Sequence, residues 1–268
     1  MNFKTKMSVL SSSLVLGAAG LASQAIAAPL PAGYTCVGTS VCGTLGADGD
    51  VTVSPQGGDY GYVSTAGSLG NNGNLGIGSE TNSSVAHTPI FAALAGDALE
   101  FFFNYVTSDG SGYIEYSWVK LINAADSTSQ ILFTARTTPT GDTVPGFGLP
   151  GLAPGVMLTP GSTSILPGLT NWSPLGGYSG ACFSGLANGC GQTGWIGMEY
   201  SIEDAGNYFL EFGVVNWSDT IYDSGLAFDG ITIAGNPINP VPEPASLALL
   251  GVALAGLGVA RAKSKKAA

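Results

Sequence analysis

Positive charge is what this sequence has least of. Eight of its 268 residues are Lys or Arg, against 18 Asp or Glu and one His. Six of the eight cations sit at the chain ends (Lys4, Lys6, Arg261, Lys263, Lys265, Lys266), so residues 28–240 hold only Lys120 and Arg136. With 17 acids and two cations, that stretch carries a surplus of 15 negative charges. Such a surface repels nucleic acid, anionic lipid and anionic polysaccharide; it suits neutral glycans, cations or basic partners, and it also serves solubility alone. Histidine is almost absent as well. A Ser-His-Asp or Cys-His centre would have to use His87, which stands among Ser83, Ser84 and Thr88 in a polar stretch. There is no H-E-x-x-H, no G-x-x-x-x-G-K-[ST] and no G-x-S-x-G on a strand-to-helix turn. Glycoside hydrolysis by paired carboxylates needs no histidine. Glu100, Glu115, Glu199 and Glu211 therefore keep one enzymatic alternative, a secreted carbohydrate-active enzyme using two glutamates. Alternating with apolar residues, they read first as the solvent face of a sheet. A helical period is missing throughout 28–240.

The two ends are different in kind. Lys4 and Lys6 precede an uncharged stretch, Met7 to Ala27, that closes on Ala25-Ile26-Ala27. This order predicts a signal peptide over 1–27, handled by the Sec translocon and signal peptidase, with cleavage before Ala28. At the other end Val241-Pro242-Glu243-Pro244 precedes an uncharged apolar run from Ala245 to Ala260, then Arg261, Lys263, Lys265 and Lys266. Sixteen helical residues reach about 24 Å, short of a bilayer core of ~30 Å by an amount that snorkelling flanks can cover. The expected transmembrane helix keeps its basic end in the cytoplasm and the rest of the chain outside. A buried core helix would not end in four cations. Pro242, Glu243 and Pro244, the apolar helix and the basic terminus together resemble the PEP-CTERM sorting signal, over residues 241–268. The tail is also known as the ice-binding protein C-terminal domain, a label that does not transfer to the body. The resemblance implies a Gram-negative host, an exosortase that processes the chain near the motif, transient anchoring in the inner membrane, and association with biofilm or exopolysaccharide matrix.

Residues 28–240 suit one domain. The four cysteines fall in two close pairs, Cys36 with Cys42 and Cys182 with Cys190. Export permits disulfides, and four cysteines allow three connectivities, of which two local loops fit the spacing best. Zinc competes weakly, since neither pair is C-x-x-C and His87 is the one histidine. Strand patterns run over Ala98–Val106, with Leu99, Phe101, Phe103 and Tyr105 on one face, and over Tyr113–Ile122, with Ile114, Tyr116 and Trp118 opposite Glu115 and Ser117. The turn Ser108–Gly112 between them predicts a hairpin. Further strands are expected at 51–53, 60–64, 130–137, 195–202, 207–217 and 226–234. The whole predicts an all-β, antiparallel two-sheet sandwich, jelly-roll-like, with long Gly/Pro-rich loops. The segment 138–194 is either a surface excursion tied by Cys182 and Cys190 or holds short irregular strands. Gly67 to Gly78, rich in Gly and Asn, reads as flexible.

Gly96–Val106, followed late by Tyr222–Ile231, resembles the β-sandwich bodies often found in front of PEP-CTERM tails. By analogy with jelly-roll domains that bind carbohydrate, sometimes with structural calcium, two sites are expected. Asp219, Asp223 and Asp229 could offer oxygens to calcium, although no D-x-[DN]-x-[DN]-G run is present and ordinary turns explain them equally. Trp172, Trp195 and Trp217 fall in or beside loops where sugar rings could stack. The expected protein is an exported, exosortase-processed structural or adhesive component of a polysaccharide layer, with no catalytic residues and a neutral exopolysaccharide as the natural partner.

Overall fold

The computed structural model describes residues 27–113, 115–138, 140–183 and 189–238. The expected signal peptide, apart from Ala27, and the tail with Pro242, Glu243, Pro244 and the expected transmembrane helix lie outside the described residues. No helix among the described residues is long and apolar enough to cross a membrane.

The chain folds as two antiparallel sheets, with strands numbered in chain order. The first sheet runs β1 (Thr35–Cys36), β4 (Glu80–His87), β13 (Gly206–Trp217), β7 (Tyr116–Asn123), β8 (Ser129–Ala135), and β5 (Phe91–Ala93) also pairs with β13. The second runs β10 (Leu166–Pro167), β11 (Gly191–Gln192), β6 (Ala98–Thr107), β14 (Ser224–Ile233), β3 (Tyr60–Ser64), β2 (Val41–Leu45). Along the same edge of β6 as β11 lies β12 (Ile196–Ser201), which carries β9 (Met157–Thr159); β15 (Asn236–Pro237) closes onto the end of β14. The only helical piece among the described residues is a 3₁₀ turn at Ser173–Tyr178.

Phenylalanine fills the space between the sheets. Leu99, Phe101, Phe103 and Tyr105 of β6 all point inward at 1% exposure or less, on the one face that alternation assigns them. Phe103 stacks on Phe133 and Phe212 on Phe228, each pair with ring centroids 4.0 Å apart, and Phe101 meets Phe212 edge-on at 5.4 Å. Offset and edge-on contacts of this kind add to the area they bury.

Three expectations change, and one open alternative is decided. The Ser108–Gly112 turn does not close a hairpin: β6 pairs with β11, β12 and β14, while β7 pairs with β13 and β8, so the turn carries the chain from one sheet to the other. The phase of β7 is inverted. Val119 and Leu121 belong to the inter-sheet core, so Glu115 and Ser117 share the inward face, and Tyr116 and Trp118 form a separate cluster with Val85 and Val215 on the outside. That outer face is dry because the Gly67–Gly78 segment packs over it and is hydrogen-bonded in place. Asn72 donates from its side chain to the Ser83 carbonyl at 2.7 Å, and the Leu75 N–H donates to the Tyr116 hydroxyl at 2.9 Å. Finally, 138–194 is a run of short strands rather than a bare excursion, with β9 and β10 tying it to the second sheet. Both local disulfides, Cys36–Cys42 and Cys182–Cys190, are present.

Candidate functional site

Four strand ends meet at one end of the sandwich: the finish of β6, the start of β7, the finish of β13 and the start of β14, as the register pairs Thr107↔Ser224 and Tyr116↔Val215 require. The inward side chains there are polar. Ser224 donates to Glu115 Oε2 at 2.7 Å and lies 2.7 Å from the Thr107 hydroxyl. Glu115 is 2% exposed, and its Oε1 is sealed from solvent without a hydrogen-bond donor. The Ser117 hydroxyl, 0% exposed, is likewise unpartnered, and the buried Asn216 side chain lies against Asp223. Buried polar atoms are normally paired, so unmatched ones at one strand end mark it as unusual.

Above this plug sits Asp109, 2% exposed, whose Oδ1 accepts the Gly110 N–H at 2.7 Å. Asp223, 6% exposed, accepts from the Thr65 hydroxyl at 2.9 Å, and its carbonyl takes both the N–H and the hydroxyl of Ser108. Burial is the main force on these acids. It lifts Asp109 to about 7, helped by the charge of Asp219 and opposed by the Gly110 N–H. It holds Glu115 well above the ordinary carboxylate range, with Asp109 the next cause, and it raises Asp223. Neither salt bridge among the described residues involves them; both belong to Glu211, which Lys120 neutralises at 2.8 Å and His87 meets at 3.2 Å.

The acids open into a cleft of about 130 Å³ lined by Asp109, Tyr113, Phe183, Asp219, Ile221 and Tyr222. Phe183 is the middle wall, edge-on to Tyr113 at 4.7 Å and to Tyr222 at 5.2 Å, and Tyr178 backs Tyr222 at 4.7 Å. The Phe183 N–H donates to the Ser108 carbonyl at 3.0 Å, which fixes the disulfide loop to the end of β6. Tyr222 holds a left-handed backbone, φ 58°, a conformation bulky residues rarely adopt. Asp219 Oδ1 accepts the Ile221 N–H at 3.0 Å.

The structure thus divides the expected residues. Asp219 and Asp223 stand at this end, but Asp229 is six residues further along β14, about 20 Å away at strand rise, where it accepts from the Ser54 hydroxyl. Among the described residues no group of three or more His, Cys, Asp or Glu side chains is arranged to hold a metal ion. The tryptophans do not form one platform. Trp172 is 1% exposed, donates to the Tyr60 hydroxyl at 2.9 Å and is core, because the face of the second sheet on which it lies is covered by the 3₁₀ turn. Trp195 packs edge-on to Tyr60 at 5.3 Å on that same outer face. Trp217 lies on the opposite outer face, 5.2 Å from the Arg136 guanidinium. Of the strand glutamates, Glu100 and Glu199 face each other across β6 and β12 in the open, as solvent-face residues do, and Glu115 alone is buried. The sequence puts Asp109 in the Ser108–Gly112 turn and Tyr222 at the head of the Tyr222–Ile231 stretch, but not their convergence with Glu115, Tyr113 and Phe183; the phase of β7 was the lost signal.

No curated protein matches the chain. Among solved structures it is similar to the K1 cleaved adhesin domain of Lys-gingipain from Porphyromonas gingivalis W83, at 13% identity and a TM-score of 0.37, covering 80% of this chain and 99% of that one. It is also similar to the K3 cleaved adhesin domain of the same protein, at 13% identity and a TM-score of 0.34, covering 76% and 91%. Residues 240–263 match the PEP-CTERM protein-sorting motif, so the β-rich body is joined to a signal for export and membrane-anchored transit to the cell surface.

Proposed function

We propose that the chain is an adhesive or structural surface protein without catalytic activity, processed by an exosortase and retained in the polysaccharide matrix of a Gram-negative cell. The sorting motif at 240–263 is the observation that carries this reading. The body supports it through where its reactive side chains go. His87 packs on Phe209 at 5.0 Å and on Glu211 at 3.2 Å, on the outside of the first sheet and away from the cleft. Hydrolysis by paired carboxylates needs two of them on either side of a bound sugar. The four strand glutamates instead divide into an exposed pair on a flat face, one neutralised by Lys120, and one sealed inside. The surplus of 15 negative charges favours a neutral over an anionic exopolysaccharide.

An epitope-tagged body followed by cell fractionation tests the reading. In a host with its exosortase, the body is expected at the cell surface and in the matrix fraction, released by enzymes that degrade the polysaccharide. Without the exosortase it should stay in the membrane fraction. A body that partitions identically in both hosts would overturn the proposal, as would polysaccharide hydrolysis lost on Glu100→Gln or Glu199→Gln.

A further inference from the structure

We propose that the cleft between the Asp109–Tyr113 turn, Phe183 and the Asp219–Tyr222 loop binds a compact organic ammonium ion. The inference deepens the adhesive reading by giving the body a ligand class, and it rests on different observations. Two carboxylates line the cleft and no basic residue does. Behind them Glu115, 2% exposed, is held by the Ser224 hydroxyl on Oε2 at 2.7 Å and crowds Asp109, while its Oε1 meets no donor. Acids crowded together in a buried site repel one another, at a cost that a bound cation lowers. The nearest cations of the protein are engaged elsewhere: Arg136 lies over the Tyr116 and Trp217 rings at 5.4 and 5.2 Å, and Lys120 pairs with Glu211 at 2.8 Å.

The walls decide what sort of cation fits. A calcium ion asks for six to eight oxygens, and the remaining faces here are the rings of Tyr113, Phe183 and Tyr222 with the Ile221 side chain. The nearly perpendicular contacts of Phe183 with Tyr113 (81°) and Tyr222 (72°) turn these rings into a three-sided wall. Ring faces attract a cation and also accept its C–H surface, which a hydrated metal ion lacks. An ammonium group carried on a short carbon frame uses both halves of the site. Its N–H groups meet Asp219, whose Oδ2 accepts no hydrogen bond among the described residues, and Asp109; its carbons meet the rings. Tyr113 and Ile221, 41% and 44% exposed, form an apolar rim at the mouth. An amino sugar and a lysine side chain both present this chemistry.

Ligand-observed NMR titration of the full chain in mild detergent tests the site, with glucosamine and n-butylammonium as the two ammonium probes, glucose as the neutral control and calcium as the inorganic one. Saturable binding of either ammonium probe, with glucose silent, is expected, and the tighter of the two names the source. Asp219→Asn should weaken binding at least tenfold with the melting curve unchanged. Tyr222→Ala should do the same and Tyr222→Phe should not. For n-butylammonium, which stays charged throughout, affinity should climb between pH 6 and 8 as Asp109, which faces Glu115, Asp219 and the Gly110 N–H, gives up its proton. Equal binding of glucose and glucosamine would overturn the proposal, as would indifference to Asp219→Asn or competitive displacement of the ammonium probe by millimolar calcium. None of these outcomes touches the fractionation result, so the two readings fail separately.

Discussion

Asp109 and Glu115 are acids placed where the core closes, and the consequence is a stability that falls as pH rises. A carboxyl whose folded pKa is about 7, against about 3.9 in the unfolded chain, binds more protons folded than unfolded between those values. The native state therefore loses stability from about pH 4 up to about pH 7. Removing the charge removes the slope. Asp109→Asn should flatten denaturant-measured stability between pH 5 and 8 and raise it at pH 8, by on the order of 2 kcal/mol. Unchanged pH dependence in this variant would place the slope on other groups. Glu115 also shows why the site was hidden in the text. Alternation fixes which side chains share a face, but two phases are open, and bulky aromatics ordinarily take the inner one. Here Tyr116 and Trp118 lie outside under the Gly67–Gly78 segment, and the inner phase falls to Glu115 and Ser117.

At the scale of strands, each of two buried tryptophans lies on a glycine. Trp118 faces Gly213 across β7 and β13, where an added Cβ would stand 2.1 Å from the indole; Trp172 lies over Gly225 of β14, where it would stand 2.5 Å away. Gly213 has an ordinary strand backbone, so its absent side chain is needed for space alone. Gly213→Ala should cost about 3 kcal/mol, read as a drop in the denaturation midpoint, because a ring at 0% exposure has no room to retreat. A neutral substitution would show that the covering segment yields. The Asp223-Ser224-Gly225 run gains a physical reason in the same way: Asp223 holds Thr65, Ser224 holds Glu115, and Gly225 admits Trp172. The sequence showed that pattern without its partners, since none of them is nearby in the chain. Strand β6 and the local disulfides were legible because their determinants are contiguous: period-two apolarity in one case, close cysteine pairs in the other. The crossing from β6 to β7 was not. Ser108–Gly112 specifies a reversal of direction, and nothing within it specifies which sheet receives the next strand.

For the molecule as a whole, the motif at 240–263 is the signal for export, and the expected cleavage before Ala28 belongs with it. Intact mass of the protein from an exosortase-bearing host is expected to begin at or near Ala28 and to stop close to Pro242-Glu243-Pro244. A product that keeps Lys265 and Lys266 would show that the tail stays attached. The described body, by contrast, needed three dimensions. Its acidic surplus was readable as a total, while the meeting of Asp109 and Asp219 in one aromatic-walled cleft depends on four strand ends that are far apart in sequence.

The placement of β15 gives that cleft a direction. Asn236 and Pro237 pair with Ile233 and Thr232, and the Ile238 N–H donates back to the Ile231 carbonyl, so the last described residues lie along the finish of β14, whereas the cleft lies at the start of that strand. Seven residue steps at strand rise separate Ser224 from Ile231, about 23 Å. The end of the body that carries the last described residues is thus the one away from the carboxylates.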